Sequence, residues 1–118
     1  MAKDDYNVIV FKVLTYLYAV LKRKTVFDIN EFKTAIGSID ENYFNDLLEI
    51  MQKEGFIDGL IFVHAWGIES IIYNDLSDMR ITFKGMQFLT ENSKMQEVKN
   101  FLLKNVDTIS SLIKLVFM

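Results

Sequence analysis

The run of residues 40–89 constrains the fold of this chain of 118 residues more than any other feature. It begins with helical periodicity, continues with β-forming residues and turn formers, and returns to helical periodicity. Asp40 can cap the first helix of the run, and Gly55 can take the left-handed conformation that ends it. The second helix opens at its cap Thr82 and covers residues 83–91. The run therefore predicts a helix, a β-hairpin and a helix in succession.

The β-forming part of this run predicts a hairpin. Residues 56–66 are rich in aromatic and β-branched side chains, and turn formers such as Asn74 and Asp75 follow them. Residues 79–81 can return as the partner strand. Alternatively, the return strand begins near Ile71, so the extent of the hairpin stays open at this point.

An apolar helix over residues 6–21 precedes the run, with Asp5 as its cap and a basic cluster, residues 22–24, at its end. Apolar side chains surround it almost completely, so it must be covered on more than one face. It is shorter than the roughly 20 apolar residues of a membrane span, and it carries Lys12 in its middle. Asp4 and Asp5 stand where a signal peptide would be basic. We expect a buried helix with no membrane insertion.

A short second helix follows, because Asp28 and Glu31 form an Asp-x-x-Glu capping pattern and Gly37 can end the helix. Three helices, a hairpin and a further helix are the element order of a winged helix-turn-helix domain. We therefore predict an α+β, mainly helical fold in which residues 1–92 form the winged-helix domain. Residues 93–118 are predicted to form a long C-terminal helix that packs on the first helix.

Two segments carry a resemblance to a known family. Residues 54–59 read EGFIDG and residues 81–92 read ITFKGMQFLTEN. This pair resembles the pattern EGYI-x-G followed by LT-x-KG-x-x-YL-x-EN of the YjcQ family. The resemblance covers the chain from the first helix to the start of the last, and it implies a small winged-helix protein of a bacterium or phage. It implies no particular activity, because the motif marks the fold.

The C-terminal helix, which Ser93 and Gln96 are expected to open as a capping box, carries an apolar stripe. A helix from Lys94 to Met118 would be about 37 Å long, so part of it would project from a domain of this size. The alternating spacing of three and four is that of a coiled-coil seam with one polar member. The predicted seam consists of Met95, Val98, Leu102, Asn105, Ile109, Leu112 and Val116.

Three interpretations of this stripe are open. In the first, which we favour, the terminal helices pack on each other and on a second copy of the chain, giving a homodimer. In the second, the helix folds back and completes the core of a monomer. In the third, it lies on a membrane surface, although that mode favours a polar face rich in lysine.

The third helix and the wing form the predicted interaction surface. Residues 41–54 hold four acidic side chains and one basic side chain, and the whole chain has a net charge of −3. Because DNA affinity depends largely on cations that neutralise phosphates, these charges disfavour a nucleic-acid partner. The amides could still read base edges. The predicted surface consists of Asn42, Asn45, Glu49, Gln52, Lys53, Trp66 and Arg80.

Catalytic and cofactor chemistry is not indicated. The chain has no cysteine, which rules out disulfides and thiolate metal sites and fits a cytoplasmic location. Its only histidine, His64, lies in a β-forming run and is expected to be an ordinary strand residue. The glycine spacing matches no phosphate-binding loop. We expect a non-enzymatic protein without metal or cofactor.

Two functional hypotheses remain from the sequence. The first is a protein-interaction module, in a bacterial or prophage context, that uses the wing and the third helix. The alternative is a DNA-binding transcriptional regulator whose basic residues converge only in the folded dimer. Duplex binding at low and moderate salt separates the two, since phosphate contacts weaken steeply with salt.

Overall fold

The computed structural model describes residues 1–65, 69–105 and 107–118. The mainly helical α+β fold that the sequence predicts is confirmed. A short 3-10 helix, Leu76–Asp78, precedes the last strand. In chain order the helices and strands are α1 (Tyr6–Leu21), α2 (Ile29–Ile36), α3 (Glu41–Lys53), β1 (Ile57–Asp58), β2 (Phe62–Ala65), β3 (Glu69–Ile72), β4 (Arg80–Ile81), α4 (Phe83–Glu91), α5 (Ser93–Lys104) and α6 (Ser110–Phe117).

Four helices begin at the predicted caps. The side chains of Asp5, Asp28, Asp40 and Thr82 each accept a hydrogen bond from a backbone N–H in the first turn of α1, α2, α3 and α4. Such bonds satisfy donors that have no partner within the helix. The boundaries of these helices are therefore set by side chains at their own ends.

The hairpin consists of two separate ladders. Strand β1 pairs with β4 through Ile57↔Ile81, and β2 pairs with β3 through Val63↔Ile71. Both candidate return strands therefore exist. The predicted single strand is interrupted at Gly59, whose φ is +96° and where an added Cβ would lie 2.1 Å from the Asp78 carbonyl oxygen. The chain passes so close to the 3-10 helix here that only glycine fits.

Helix α1 lies in the middle of the fold and packs against α2, α4, α5, α6 and β4. Its residues from Val8 to Leu17 are buried without exception. The hydroxyl group of Tyr16 is hydrogen-bonded within the fold, since it accepts from the Asp28 N–H at 3.1 Å and donates to Glu31 Oε1 at 2.8 Å. The expectation that α1 is covered on more than one face is met by the chain itself.

The prediction of one long C-terminal helix is wrong. Helix α5 ends at Lys104 and α6 begins at Ser110, so the chain turns back instead of projecting. The turn is held by Asp107, which accepts from the Ile109 N–H at 3.3 Å and forms an ion pair with Lys12 of α1, also at 3.3 Å. This bend brings both α5 and α6 against α1.

The cap of α5 also differs from the prediction. Asn92 precedes the helix, and its Oδ1 accepts from the N–H groups of Lys94 and Met95. Ser93 is already the first helical residue, and Gln96 donates backwards to the carbonyl oxygens of Leu89 and Thr90. Asn92 takes the capping position because α4 ends there and its short amide reaches the next turn.

Most of the predicted seam lies inside the single chain. Leu112 is half-buried and Asn105 is exposed. Asn105 donates to the Phe101 carbonyl oxygen at the end of α5. The bend therefore divides the stripe, and packing against α1 accounts for its apolar character without a second copy. The homodimer through these helices stays a prediction. The buried members are Met95, Val98, Leu102, Ile109 and Val116.

Candidate interaction surface

The polar face of α3 is covered by the β2–β3 hairpin. Asn45 donates to the Ser70 carbonyl oxygen at 3.4 Å. About two turns later, Gln52 donates to the Leu60 carbonyl oxygen at 2.8 Å and accepts from the Leu60 N–H at 3.0 Å. The side-chain amide of Gln52 thus forms two hydrogen bonds with the backbone of Leu60, one as donor and one as acceptor. Helical spacing places Asn45 and Gln52 on the same side of α3, where they fix the hairpin.

Glu49 lies between these two amides and binds two side chains of the hairpin. Its carboxylate accepts from the Ser70 hydroxyl at 2.7 Å and contacts His64 Nε2 at 2.9 and 3.0 Å. The hydrogen bonds from Ser70 and His64 hold the pKa of the Glu49 carboxyl below its usual value, although partial burial acts in the opposite direction. Glu49 is therefore ionised at neutral pH and acts as an acceptor only.

The predicted interaction surface is divided by this arrangement. Asn45, Glu49 and Gln52 were expected to face outward, and that placement is wrong, because the hairpin folds over them. The remaining described members, Asn42, Lys53 and Arg80, are exposed. Trp66 lies outside the described residues.

His64 lies in strand β2, as the sequence indicates, and its contact with Glu49 was not anticipated. The sequence feature that points to this contact is the alternation of side chains between the two faces of β2. Because successive strand residues point to opposite faces, Phe62 and His64 share the face that meets α3. Sequence alone does not place a helix on that face.

The opposite side of the hairpin is an exposed apolar surface, which we call the hairpin apolar face. The register pairs Val63 with Ile71, and Ile61 accepts a backbone hydrogen bond from Tyr73 at 2.8 Å. The exposed fractions of these four residues lie between 41 % and 75 %. Contiguous apolar side chains on a surface are typical of contact sites.

The exposed charge near α3 is mainly acidic. Glu41, Asp46 and Glu54 are exposed along or beside the helix. Lys22 belongs to the basic cluster at the end of α1, and its ammonium donates to the Val116 carbonyl oxygen at 2.8 Å. That lysine therefore binds the end of α6. The role of Lys22 in the fold is therefore structural.

The glycine-containing motif holds the end of α3 to the start of α4. The Thr82 hydroxyl accepts from the Gly85 N–H and donates to the Gly55 carbonyl oxygen. Lys84 Nζ donates to the Glu54 carbonyl oxygen at 2.7 Å. An added Cβ at Gly85 would lie 2.2 Å from the Phe56 carbonyl oxygen. Thr82, Lys84 and Gly85 of the motif therefore have structural roles.

A comparison with family models matches residues 11–108 to the model described as YjcQ protein. The chain belongs to the YjcQ family. The matched range contains both halves of the motif, so the YjcQ resemblance seen in the sequence is confirmed. Comparisons with curated proteins and with solved structures give no match.

Helices α2 and α3 of this YjcQ protein border a cleft. The cleft has a volume of about 310 Å³, and its lining includes Phe32, Phe44 and Leu76 with Lys33 and Glu41. In the described parts of the chain, no three acidic or histidine side chains are grouped as a metal site would require. The described helices also include none that is long and apolar enough to cross a bilayer.

Removing the Glu49 carboxylate is expected to loosen the hairpin. In Glu49→Ala, the buried Ser70 hydroxyl loses a charged acceptor, and the free energy of unfolding should fall by about 2 kcal/mol. Asp46→Ala is the control, because it removes an exposed acid from the same helix and should change stability little. Urea denaturation measures both, and amide exchange at Tyr73 reports the hairpin. Equal losses in the two variants would contradict a clamping role for Glu49.

The same contact has a defined pH dependence. Because the folded pKa of Glu49 is lowered, its contribution is fully present above the ordinary value of about 4.3. It is lost as the pH falls through the lower pKa of the folded state. The protection of the hairpin amides against exchange, corrected for the intrinsic effect of pH, should therefore fall in acid in the native chain. In Glu49→Ala, which lacks the carboxylate at every pH, this part of the fall should be absent.

Proposed function

We propose that this YjcQ-family chain is a non-enzymatic winged-helix protein that acts as a protein-interaction module through its hairpin apolar face. The observation that carries the proposal is the exposure of Ile61, Val63, Ile71 and Tyr73 on a hairpin whose other face is fixed to α3. The contacts between α3 and the hairpin hold this face in a single orientation. A preformed surface loses less conformational freedom on binding.

The chemistry of the surface favours a protein over a nucleic acid. The four residues of the hairpin apolar face carry no cation to neutralise phosphate, and the exposed charge of α3, on the other side of the hairpin, is mainly acidic. Aromatic and β-branched side chains such as Tyr73 and Ile71 supply contact area at low entropic cost. The bacterial or prophage setting of the partner rests on the family resemblance.

A DNA-binding regulator is the second candidate, supported by the element order and by the exposure of Asn42, Lys53 and Arg80. Against it, three of the side chains that would reach base edges are bonded to the hairpin. Binding to a random duplex, measured by fluorescence anisotropy at low and then moderate salt, decides between the two. We expect no binding at either salt, and tight binding that weakens steeply with salt would overturn this preference.

The protein-interaction proposal is tested at Tyr73. Affinity capture from the native host, with mass spectrometry, compares the unchanged chain with Tyr73→Ser and with Ile50→Ser. Ile50 is the control because it is an exposed apolar residue of α3, 54 % accessible, outside the hairpin apolar face. A partner retained by Ile50→Ser and lost by Tyr73→Ser supports the proposal. A partner retained equally by all three chains contradicts it.

A further inference from the structure

Strand β2 is a free edge of its two-stranded sheet. Helix α3 lies along β3, and among the described strands β2 forms backbone pairs with β3 alone. Tyr73 donates to the Ile61 carbonyl oxygen, so Ile61 and Tyr73 form a hydrogen-bonded pair, and so do Val63 and Ile71 two residues further along. The alternation of an antiparallel ladder then turns the N–H and C=O groups of Phe62 and His64 away from β3.

Apart from the short length of β2, four residues, this edge lacks the usual protection against pairing. Natural edge strands carry lysine, proline or a bulge that prevents another strand from adding. The sequence of β2, Phe62–Ala65, has no lysine, no proline and no acidic residue. His64, its one titratable side chain, is bound to Glu49 on the face toward α3. Val63 is 42 % exposed on the other face.

We propose that two copies of this chain pair edge to edge through β2, antiparallel and with the two-fold axis at Val63. In this arrangement Phe62 of each copy exchanges both backbone hydrogen bonds with His64 of the other. The two hairpins become one four-stranded sheet. Val63 of each copy lies beside Val63 of the other, and the two hairpin apolar faces join into one continuous surface.

The charge distribution favours a second copy of this chain as the partner of the β2 edge. The chain carries a net charge of −3, and α3 exposes acids, so a contact between two copies through α3 would place like charges together. The β2 edge is an uncharged strip where two copies can meet without this repulsion. A pairing about a two-fold axis is also self-complementary, since each copy supplies the same donors and acceptors.

The small size of the β2–β3 sheet also favours pairing with a second copy. A hairpin of two strands is marginal by itself, and here it depends on side-chain contacts with α3. Pairing through β2 satisfies the backbone groups of Phe62 and His64 and gives the sheet two internal strands. This dimer differs from one through the terminal helices, and it does not depend on the proposed protein-interaction role.

The test uses the purified chain and sedimentation equilibrium. In Val63→Lys, two lysines meet at the axis, and the Kd of the dimer should rise by at least about tenfold. Ile71→Lys is the matched control, because Ile71 is the ladder partner of Val63, is similarly exposed at 41 %, and lies on the strand away from the axis. It should retain the dimer.

A charge-pairing mixture addresses the two-fold axis directly. Equal amounts of Val63→Lys and Val63→Glu chains should form a heterodimer, although neither chain pairs with itself, because position 63 of one copy meets position 63 of the other. Recovery in the mixture also shows that both variants are folded. A native chain that stays monomeric at about 100 μM, well above the Kd of a specific interface, would overturn the inference. A Val63→Lys chain that still dimerises, or a mixture that fails to recover, would also overturn it.

Discussion

Gly85→Ala is expected to lower the free energy of unfolding by about 3 kcal/mol, because the new methyl group would meet backbone. The added Cβ lies 2.2 Å from the Phe56 carbonyl oxygen and 3.0 Å from Ile81 Cγ1. The Phe56 carbonyl cannot simply move away, since it accepts from the Thr82 N–H at 3.1 Å. Relief of the clash therefore separates α4 from the strand that follows α3.

Helix propensity predicts the opposite sign for this substitution. Alanine is favoured over glycine by about 1 kcal/mol inside an exposed helix, so without the clash Gly85→Ala would be stabilising. Urea denaturation of the native chain, Gly85→Ala and Gln87→Ala distinguishes the two effects. Gln87 is an exposed residue of the same helix, and its replacement should change stability little. A stabilised Gly85→Ala chain would contradict the close approach of α4 and Phe56.

The starts of four helices could be predicted because their causes are local. Asp28 and Asp40 each bind a backbone N–H three residues later, so a short window of sequence contains both partners. The same holds for Thr82 and the Gly85 N–H. Local contacts of this kind are independent of how the helices later pack.

The site on α3 could be predicted only in part because its contacts join distant segments. Asn45, Glu49 and Gln52 were correctly grouped on one side of the helix, since helical spacing fixes that. Their partners, among them His64 and Ser70, come from a hairpin whose docking depends on the whole fold. Amides and acids on a helix have the same pattern whether water or a strand covers them.

The bend between α5 and α6 illustrates a further limit. No proline or glycine marks it, and the apolar stripe continues on both sides. The stripe therefore fits one long helix in a dimer and two short helices in a monomer equally well. What selects the bend is Asp107, whose cation partner Lys12 lies almost a hundred residues earlier in the chain.

The Lys12–Asp107 ion pair provides the second large effect. Lys12 is almost completely buried, with 4 % of its side chain exposed, and its ammonium lies 3.3 Å from Asp107 Oδ1. Asp107→Asn leaves this charge buried without its counterion, and breaking such a pair typically costs 3–5 kcal/mol. We expect a loss of about 3 kcal/mol, because Asp107 is partly exposed and water can reach the site.

Acid should weaken the native pair in a predictable direction. Burial raises the pKa of Asp107, but the Lys12 ammonium and the Ile109 N–H lower it by more, so the pKa lies below its ordinary value. The contribution of Asp107 is therefore complete above about 3.9 and is lost as the pH falls through the folded-state pKa. Asp107→Asn should lack this part of the acid sensitivity.

The double substitution distinguishes a buried charge from a simple loss of packing. Lys12→Met keeps an unbranched apolar chain in the core and removes the charge, so Lys12→Met combined with Asp107→Asn should recover most of the stability that Asp107→Asn loses. Urea denaturation of the four chains gives a coupling free energy, and we expect it to exceed about 1 kcal/mol. Additive losses would show that the two residues act independently. In that case the bend between α5 and α6 would have to be stabilised by the bonds within Asp107–Ser110, such as the one from the Ile109 N–H.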